Sequence, residues 1–391
     1  MISKAPTIMR IAVVNSFYPP WRGGAETYVS NLALALRGRG HSVAVICSCD
    51  PLKPGISDEG GVQVNRLRLA GRLYGTPIPL GLVRALRMVD ADVFHANFPS
   101  PYFAFKVSRT AKSRKIPAVL TWHNDLPPVT SAAGILINLH DNVVLHRYIR
   151  GFSRVISTSP TYALRSRNLS RFADLVTVIP NGVDCERFNP KINSSHLRED
   201  LLADQKFVIL FVAALTKWHR YKGLDILVQA VKIAVEKVSS VLLVIVGDGE
   251  LRPEFESLVH ASDLEQHVIF VGDVSDDILP CYYAACDVLA LPSKDMSEGF
   301  GLTLLEANAT GKACIASNIG GIPSVIENNH NGILVPPNDT NALAQAIIFL
   351  ATHPEKCLEL GRNGREFALL RDWKQIAALT EQVYMQCTHQ N

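Results

Sequence analysis

The most informative segment of the chain is Ser297-Glu-Gly-Phe-Gly-Leu-Thr-Leu-Leu-Glu-Ala-Asn-Ala-Thr310. Two glutamates, Glu298 and Glu306, enclose a Gly-Phe-Gly turn and an apolar run, so we expect the first acid in a loop and the second inside a helix. Backbone N–H groups from Gly299 to Leu302 would face an anion at the helix N-terminus, where the helix dipole also favours negative charge. This geometry suits a phosphorylated ligand.

The two carboxylates suit the remaining parts of such a ligand. Glu306 could accept hydrogen bonds from vicinal hydroxyls such as those of a ribose, and Glu298 from a hydroxyl of a group attached beyond the phosphates. The alternative is structural, with Glu298 favouring the helix dipole and Glu306 solvated on the helix surface. Because short motifs often match by chance, the rest of the chain has to decide between the two.

Length and composition indicate a large protein with two domains. The chain has 391 residues, of which 48% are hydrophobic and 19% charged, enough to bury two sizeable cores. No stretch offers the roughly 18 uninterrupted apolar residues of a membrane span. The first ten residues lack the apolar core of a signal peptide, so we expect a cytoplasmic protein.

Charge is distributed unevenly along the chain. Up to Asp184 there are 22 Lys and Arg against 10 Asp and Glu, and the remainder has 17 against 26. A basic first half indicates an anionic partner, which could be a phosphate-bearing acceptor, an anionic membrane surface or nucleic acid.

Neither the cysteines nor an Asp-x-Asp motif predicts a metal site. Asp90 and Asp92 lie where a helix gives way to a strand, so we interpret them as turn residues. The cysteines lack the spacing of a zinc site and are interpreted as reduced structural thiols. There are eight of them: Cys47, Cys49, Cys185, Cys281, Cys286, Cys314, Cys357 and Cys387.

Short apolar runs alternate with helical patterns along the whole chain, which predicts two successive doubly wound α/β domains. The first domain is expected over residues 1–185 and the second over 186–371, with a final helix in 372–391. The predicted strands of the first domain are Ile11–Asn15, His41–Cys47, Val62–Arg66, Val93–Asn97, Pro117–Thr121, Ile156–Pro160 and a run within Leu175–Asp184. Those of the second are Phe207–Ala213, Val241–Gly249, Val268–Gly272, Val288–Leu291, Ala313–Ala316 and Gly332–Val335.

Two positions of the first domain follow predicted strands and could meet a ligand. Gly23 and Gly24 stand between a strand and a helix, where glycine lets the backbone approach an anion, although a Gly pair also simply closes turns. His123 follows the strand that ends at Thr121, at an edge where ligands bind in open parallel sheets. Packing or solvation is the alternative role of His123.

The segment 133–155 is rich in Ile, Leu and Val and ends with three arginines, Arg147, Arg150 and Arg154. It could be a core helix, which we favour, or it could lie on a membrane surface together with the basic run from Lys106 to Lys115.

The motifs together resemble one enzyme family. The spacing Glu298-x7-Glu306, with Gly-Phe-Gly directly after the first acid, resembles the signature of family 4 retaining glycosyltransferases, which have the two-domain GT-B fold. Further matching strings occur in the same order as in the family, and the resemblance covers nearly the whole chain. They are Gly-Gly-Ala-Glu26, Ile-Pro-Asn-Gly-Val-Asp184, Tyr-Lys-Gly-Leu-Asp225, Gly-Gly-Ile-Pro323 and Asn331-Gly-Ile-Leu-Val-Pro-Pro337.

The resemblance implies an α/β GT-B architecture in which two doubly wound Rossmann-like domains face a central cleft. The first domain would be the acceptor side, with the C-terminal helix crossing back to it. The second would bind a nucleotide-sugar donor. Glu298 would bind the donor sugar and Glu306 the ribose.

Further site residues follow from the same resemblance. Lys222 would pair with the diphosphate, and a second charge would come from Arg220 or, as the weaker candidate, Lys217, because Ala213-Ala214 stands where the family often has Gly-Arg. His123, and more weakly Asp125, would reach the transferred sugar. The remaining donor-binding residues would be Gly23, Gly24, Gly249, Val271 and Gly272, with Gly299, Phe300, Gly301 and Leu302 at the phosphates.

The predicted function is retaining transfer of a hexose from a UDP- or GDP-sugar to a saccharide or lipid-linked glycan. The resemblance implies a front-face substitution without an enzyme nucleophile, a bound metal or another cofactor. GDP-mannose is included because Thr-Trp-His-Asn-Asp125 is similar to a string in some mannosyl-transferring relatives. The alternatives are a GT-B nucleotide-sugar epimerase, or a non-catalytic binder of anions or nucleic acid. The few aromatic residues in the basic runs argue against nucleic acid.

Overall fold

The structure of the chain is a computed structural model, and it describes residues 8–21, 23–73, 76–126 and 132–388. Contacts between residues divide the chain into two units. The first contains the described residues up to Gly182 together with those from Trp373 onward, and the second runs from Val183 to Asp372. The last helix thus belongs to the first unit although the second unit separates them in sequence.

The first unit is built on an eight-stranded sheet with the order β10-β9-β8-β7-β1-β2-β4-β3. All its ladders are parallel except β3 with β4, and β5 and β6 form a separate antiparallel pair. The order reverses between β1 and β7. The strands are β1 Arg10–Val14, β2 Ser42–Ser48, β3 Gly55–Glu59, β4 Val62–Leu67, β5 Leu69–Leu73, β6 Thr76–Pro79, β7 Val93–Phe98, β8 Ala118–Trp122, β9 Arg154–Ser157 and β10 Val176–Val178.

The central strands β7 and β8 are buried along their whole length, as expected for apolar strands covered by helices on both faces. The helices of this unit are α1 Gly24–Gly38, α2 Leu82–Met88, α3 Pro101–Arg114, α4 Ala132–Leu139, α5 Leu145–Ile149 and α6 Pro160–Arg165, and the π-helical turn His140–Val144 joins α4 to α5. A 3-10 helix follows at Leu169–Leu175.

The second unit is a six-stranded parallel sheet with the order β13-β12-β11-β14-β15-β16. Its order reverses between β11 and β14. The strands are β11 Phe207–Val212, β12 Val241–Val246, β13 Val268–Gly272, β14 Val288–Leu291, β15 Ala313–Ser317 and β16 Ile333–Val335. The helices are α7 Ser195–Asp200, α8 Leu224–Val235, α9 Arg252–His260, α10 Leu279–Ala285, α11 Leu302–Ala309, α12 Thr340–Thr352 and α13 Pro354–Leu369, with 3-10 turns at Lys217–Lys222 and Ile322–Ser324.

The last helix, α14, spans Trp373–Thr388 and packs on the first unit's core. The Trp373 ring covers Gly182, where a Cβ would lie 2.5 Å from the ring. Tyr384 is buried, and its hydroxyl lies 2.5 Å from Nδ1 of His95 in β7. A hydrogen bond and an apolar face therefore tie the C-terminal helix to the sheet.

The predicted strands are found in the structure within a few residues, but β3, β5 and β6 were not predicted. The predicted strands leave the residues between Cys47 and Val62 without a strand, and the structure has the antiparallel edge strand β3 there. Most of β3 is exposed, so it carries no apolar alternation, and its position is set by pairing with β4 across the turn Gly60-Gly61, where both glycines have positive φ. Such a strand is specified by hydrogen bonding and by the turn.

The structure also bears on the predictions for the Asp-x-Asp motif, the cysteines and a membrane span. Asp90 and Asp92 bind Arg10 in the turn between α2 and β7. All eight cysteines are free thiols, six of them buried. Within the described residues, no helix combines the length and the hydropathy needed to cross a membrane.

Candidate active site

The candidate residues of the second unit lie at the carboxyl ends of its strands, in the loops that follow them and in the helix α11. Because the strands are parallel, these loops meet at one edge of the sheet, and ligands bind in open α/β sheets where the strand order reverses. The reversal lies between β11 and β14. Lys222 comes from the loop after β11 and Glu298 from the loop after β14, so they flank this point.

Lys222 and Glu298 form a buried ion pair. The Lys222 Nζ donates to Glu298 Oε2 at 2.9 Å, and Ser293 Oγ donates to the same oxygen at 3.3 Å. The side chains are only 15% and 8% exposed. Burial disfavours the charged lysine, but the Glu298 carboxylate outweighs this effect and raises the Lys222 pKa. The site therefore holds a fixed positive charge next to a fixed negative one.

Free backbone amides lie directly beside this pair. Within the described part of the chain, the N–H groups of Gly299, Phe300, Gly301 and Leu302 have no hydrogen-bond acceptor. Gly301 has a φ of 92° and precedes the first residue of α11, a conformation that glycine adopts without strain. Four donors at the start of a helix form an environment that suits an anion.

Two further glycines support this loop. Gly321 N–H donates to the Glu298 carbonyl oxygen at 2.9 Å. A Cβ on Gly320 would lie 2.1 Å from that same oxygen, and one on Gly321 would lie 1.9 Å from the Gly299 carbonyl oxygen. The motif Gly-Gly-Ile-Pro323 therefore shapes the loop by allowing backbone to pack on backbone.

Glu306 lies in α11 and receives a hydrogen bond from the Tyr283 hydroxyl at 2.6 Å. Burial raises the Glu306 pKa to about 7, although the bond from Tyr283 opposes the shift. The carboxylate is part-buried and bonded to Tyr283, which disfavours a fully solvated surface group. Its role toward a ribose stays a prediction. The carboxylate keeps acceptor capacity for a hydroxyl ligand.

The remaining predicted residues of this unit lie along the same edge. Gly249 ends the turn after β12, where a Cβ would lie 2.4 Å from the Leu215 carbonyl oxygen. Val271 and Gly272 end β13, and the Gly272 carbonyl accepts from Gly247 at 2.9 Å. These positions are adjacent at the sheet edge, as a base-binding role requires.

Arg220 is engaged elsewhere. Its Nη1 donates to Glu254 Oε2 at 2.9 Å, and a second, shorter contact completes a bidentate pair whose side chains are about half exposed. Lys217 is exposed in the same 3-10 turn. Arg220 would have to leave Glu254 to meet a diphosphate, so its role stays a prediction, as does that of Lys217.

In the first unit, His123 follows β8 and contacts two neighbouring elements. Its Nε2 lies 3.0 Å from the side-chain oxygen of Asn97 in β7, and its ring packs edge-to-face on Tyr28 of α1 at 4.8 Å between centroids. Burial lowers the His123 pKa to about 4. The ring is neutral at physiological pH.

Asp125 is a structural residue of this unit. Its carboxylate accepts from Ser166 Oγ at 2.8 and 2.9 Å and from the Arg167 amide at 3.1 Å. Its own amide donates to the Tyr162 hydroxyl at 2.6 Å. These bonds occupy the carboxylate and fix the loop after His123, which disfavours direct sugar binding by Asp125.

Gly23 and Gly24 begin α1, as predicted, but a carboxylate lies beside them. A Cβ on Gly23 would lie 2.3 Å from Glu26 Oε2. Glu26 is buried, accepts from Asn15 at 3.3 Å, and has a pKa raised by burial to about 7. An anion at these glycines would therefore meet the Glu26 carboxyl group.

Five residues that organise the site were assigned no role from the sequence, although Glu26 and Gly320 stand in motifs that carry the family resemblance: Asn97, Ser293, Tyr283, Gly320 and Glu26. Asn97 offered a signal, because a polar residue ending a predicted apolar strand lies at the ligand-binding edge. Tyr283 and Ser293 offered none, since their partners are set by helix and strand packing across sequence separations of 23 and 5 residues.

Two doubly wound parallel α/β units, one carrying a buried Lys–Glu pair and free amides at its switch point, define an enzyme of the GT-B class. The chain belongs to glycosyltransferase family 4. The family described as Glycosyl transferases group 1 matches residues 194–367, and the family described as Glycosyltransferase Family 4 matches residues 22–187. The protein is therefore a glycosyltransferase, as the sequence motifs predicted.

Individual relatives agree with this assignment. A GDP-mannose-dependent alpha-(1-6)-phosphatidylinositol monomannoside mannosyltransferase of Mycobacterium tuberculosis is 26% identical over 384 residues, covering 94% of this chain and 96% of that protein. A D-rhamnosyltransferase of Pseudomonas aeruginosa is 30% identical over 347 residues, covering 87% and 86%. The crystal structure of Anabaena HepE in complex with UDP and glucose has a TM-score of 0.77 at 23% identity, covering 96% of this chain and 99% of that one. The last match confirms the fold.

Proposed function

We propose that this glycosyltransferase moves a hexose, with retention of anomeric configuration, from a nucleotide diphosphate sugar to a saccharide or lipid-linked glycan. The observation that carries the proposal is the buried Lys222–Glu298 pair beside the acceptor-free amides of Gly299 to Leu302. A cation and four amides can bind a diphosphate, while the adjacent carboxylate can bind the sugar hydroxyls attached to it.

The proposed reaction takes place on one face of the sugar. The bond from the anomeric carbon to the diphosphate oxygen breaks, the acceptor oxygen bonds to that carbon on the same face, and the acceptor proton passes to the leaving phosphate. Lys222 and the loop amides would stabilise the charge that develops on the diphosphate. Glu298 and Glu306 would hold the sugar and the ribose in position.

The donor is proposed to be a GDP-sugar. Support comes from the mycobacterial relative, whose name states GDP-mannose dependence. A UDP-sugar is the alternative donor, since HepE was crystallised with UDP and glucose. The name of the mycobacterial relative, a phosphatidylinositol monomannoside mannosyltransferase, also supports a glycolipid acceptor.

The first experiment is a thermal-shift panel of UDP, GDP, ADP and their sugars. A ligand that binds the native state raises its melting temperature, because binding adds about 2.7 kcal/mol of stability at a hundredfold excess over Kd. We expect GDP to stabilise the wild type and not Glu306→Ala. The matched control is Glu366→Ala, an exposed acid in α13, which should respond as the wild type does. No response to any nucleotide would contradict the proposal.

Turnover experiments test the other parts. With the identified donor and a saccharide acceptor, NMR of the new glycosidic bond should show the anomeric configuration of the donor, and inversion would refute retention. Consumption of the donor without acceptor, giving free sugar or an epimer, would instead support the epimerase alternative.

Membrane contact by the first unit is a separate part of the proposal. Ile135, Leu139 and Val143 are spaced one helical turn apart and are 73%, 54% and 42% exposed, whereas Leu145 and Ile149 on the same segment are buried. One side of the segment therefore belongs to the core, and the other side carries an exposed apolar stripe. Among the neighbouring basic residues, exposed Lys112 and Lys115 could bind anionic lipid.

Sedimentation with vesicles tests this contact. The variant Lys112→Glu/Lys115→Glu should lose binding to anionic vesicles, while neither protein should bind vesicles of neutral lipid. Arg114 is unsuitable for the test, because it donates to the carbonyl oxygens of Leu86 and Val89 at 2.7 and 2.8 Å and so supports the end of α2. Equal binding of variant and wild type would refute the contact.

A further inference from the structure

His123 lies at the end of a short hydrogen-bonded chain that begins in β1. The Asn97 side-chain nitrogen donates to the Val14 carbonyl oxygen at 3.3 Å, and the Asn97 side-chain oxygen lies 3.0 Å from His123 Nε2. Asn97 is 1% exposed, near the end of β7 between β1 and β8. Two adjacent strands therefore fix the amide that faces the ring.

The chemistry of this chain determines where the imidazole proton lies. A backbone carbonyl only accepts hydrogen bonds, so the Asn97 atom that faces Val14 has to be the NH2 group. The other end of the amide is then a carbonyl oxygen, which also only accepts. A ring nitrogen 3.0 Å from that oxygen has to carry a proton, because two acceptors would otherwise face each other.

The second ring nitrogen is left as an open acceptor. A neutral imidazole has one N–H and one lone pair, so a proton on Nε2 leaves the lone pair on Nδ1. Among the described residues Nδ1 has no hydrogen-bond partner, and it is not one of the atoms sealed from solvent. It can therefore receive a hydrogen bond from a ligand.

The surroundings keep the ring neutral. Burial lowers the His123 pKa to about 4. The titratable groups that face the ring are Tyr28 from α1 and His95 from β7, and burial moves their pKa values to about 12 and about 3. All three groups are uncharged across the neutral range, so none of them adds a positive charge that would attract an anion.

We propose that Asn97 is a positioning residue that locks His123 as the neutral Nε2–H tautomer, so that Nδ1 accepts a hydrogen bond from a hydroxyl of the bound saccharide. His123 then recognises a hydroxyl donor and repels a phosphate oxygen, which has no proton to give. The new element is the tautomer of His123 and the role of Asn97 in setting it. The saccharide ligand rests on the proposed function, whereas the tautomer does not.

The tautomer is measured directly on the wild-type protein without ligand. Long-range ¹H–¹⁵N correlation spectra of ¹⁵N-histidine-labelled protein distinguish the two neutral tautomers and the imidazolium. His123→Gln identifies the signal by its loss. The His123 pKa of about 4 lies about two units below pH 6. We therefore expect the neutral Nε2–H form throughout about pH 6 to 8. A proton on Nδ1, or a mixture of the tautomers, would overturn the proposal.

Variants at Asn97 test the cause. Asn97→Ala removes the acceptor and should produce a mixture of tautomers, whereas Asn97→Asp places a carboxylate against Nε2 and should raise the His123 pKa into the neutral range. The control is Asn31→Ala, whose side chain only donates to Thr27 within α1. Circular dichroism confirms folding, and an unchanged His123 signal in a folded Asn97→Ala protein would refute the assignment.

Donor analogues test the ligand. Deoxyfluoro sugars replace one hydroxyl at a time with a group that cannot donate. One position should lose at least about tenfold in kcat/KM with the wild type and lose nothing further with His123→Gln. If every position behaves alike in both enzymes, saccharide recognition by Nδ1 is wrong. A total lack of transfer with all donors would instead refute the proposed function, and the tautomer measurement would stand unaffected.

Discussion

The two acids of the second unit differ in how they are held. Glu298 is paired with Lys222, whereas Glu306 is part-buried with a neutral hydroxyl partner, Tyr283. Desolvation favours the protonated carboxyl and outweighs the Tyr283 bond and the charges of Arg187 and Lys222, so the Glu306 pKa is raised to about 7. In the proposed role of Glu306 as the ribose ligand, the ionised carboxylate offers more acceptor lone pairs to the diol than the protonated carboxyl does. Nucleotide binding is then expected to favour deprotonation of Glu306.

This coupling gives a pH dependence of nucleotide affinity. At a pH below about 7 the free protein carries a proton on Glu306 that has to leave on binding. The Kd should therefore rise about 30-fold between pH 8 and pH 5.5, as linkage gives for a group of that pKa. Isothermal titration calorimetry in two buffers of different ionisation enthalpy measures both the Kd and the released proton.

Glu306→Gln is the control for this prediction. The amide cannot titrate, so its weaker nucleotide binding should be nearly independent of pH. The nucleotide's own phosphate titration is common to both proteins and cancels in the comparison. Parallel pH profiles for the two proteins would show that Glu306 does not contact the nucleotide.

The Lys222–Glu298 pair leads to a second prediction, on stability. Removing one partner of a buried ion pair leaves an uncompensated charge, so Lys222→Met should lower the free energy of unfolding by about 3 kcal/mol. The double variant Lys222→Met/Glu298→Gln should recover most of that loss, because no buried charge remains. Both variants should be inactive. Urea unfolding and turnover assays separate the two effects.

An exposed pair provides the comparison. Lys356 and Glu359 lie 2.8 Å apart in α13 with side chains 28% and 49% exposed. Lys356→Met should change stability by less than about 1 kcal/mol and leave activity intact. If Lys222→Met behaves like Lys356→Met, the buried Glu298 carboxylate does not depend on Lys222 for its stability.

At the residue scale, the sequence predicted the charged groups and missed their neutral partners. Lys222, Glu298 and Glu306 stand in motifs whose spacing can be recognised directly in the sequence. Ser293 and Tyr283 meet these groups only because β14, α10 and α11 pack side by side. No short sequence pattern encodes such contacts.

At the scale of elements, the loop from Glu298 to Leu302 depends on a neighbouring glycine pair. Gly321 has a φ of −87°, which other residues adopt freely, so its need for glycine is purely one of space. Alanine there would place Cβ 1.9 Å from the Gly299 carbonyl oxygen. A contact below 3 Å with backbone forces the loop or its support to move.

Gly321→Ala should therefore weaken nucleotide binding by at least about tenfold, which corresponds to about 1.4 kcal/mol. The matched control is Gly38→Ala at the end of α1, where a Cβ meets nothing within 4 Å. That variant should bind nucleotide as the wild type does. Wild-type affinity in Gly321→Ala, measured by calorimetry, would mean that the free amides are not the phosphate site.

The elements also show where sequence patterns were sufficient. Apolar runs predicted the central strands because burial on both faces leaves a continuous hydrophobic signal. The edge strand β3 has no such signal, since it is held by backbone pairing with β4 and by polar contacts of Arg66 with Ser57 and Glu59. The sequence of the segment from α4 to α5 is compatible with a core helix and with a surface helix, because its apolar residues cover more than one face of the helix.

At the scale of the whole molecule, the first structural unit is not continuous in sequence. The first unit is completed by α14, which comes after the second unit in sequence. The sequence alone could not establish this return, because the pattern of α14 shows an apolar face but not the surface that covers it. The prediction that the last helix packs on the first domain came from the family resemblance.

A buried residue of α14 measures its contribution. Ile376 is fully buried in the first unit's core and Leu379 is 41% exposed on the same helix. Ile376→Ala should cost about 2–5 kcal/mol of unfolding free energy through lost burial and a cavity, whereas Leu379→Ala should cost less than about 1 kcal/mol. Because Ile376 belongs to the first unit, nucleotide-induced stabilisation of the second unit should remain in both variants.

Ending the chain after Asp372 is the extreme case. The first unit should unfold, while residues 183–372 keep a continuous core, and nucleotide should still raise their melting temperature. Loss of the nucleotide response in Ile376→Ala would show that the donor site depends on the first unit's stability, and the second unit could not then be treated as independently folded.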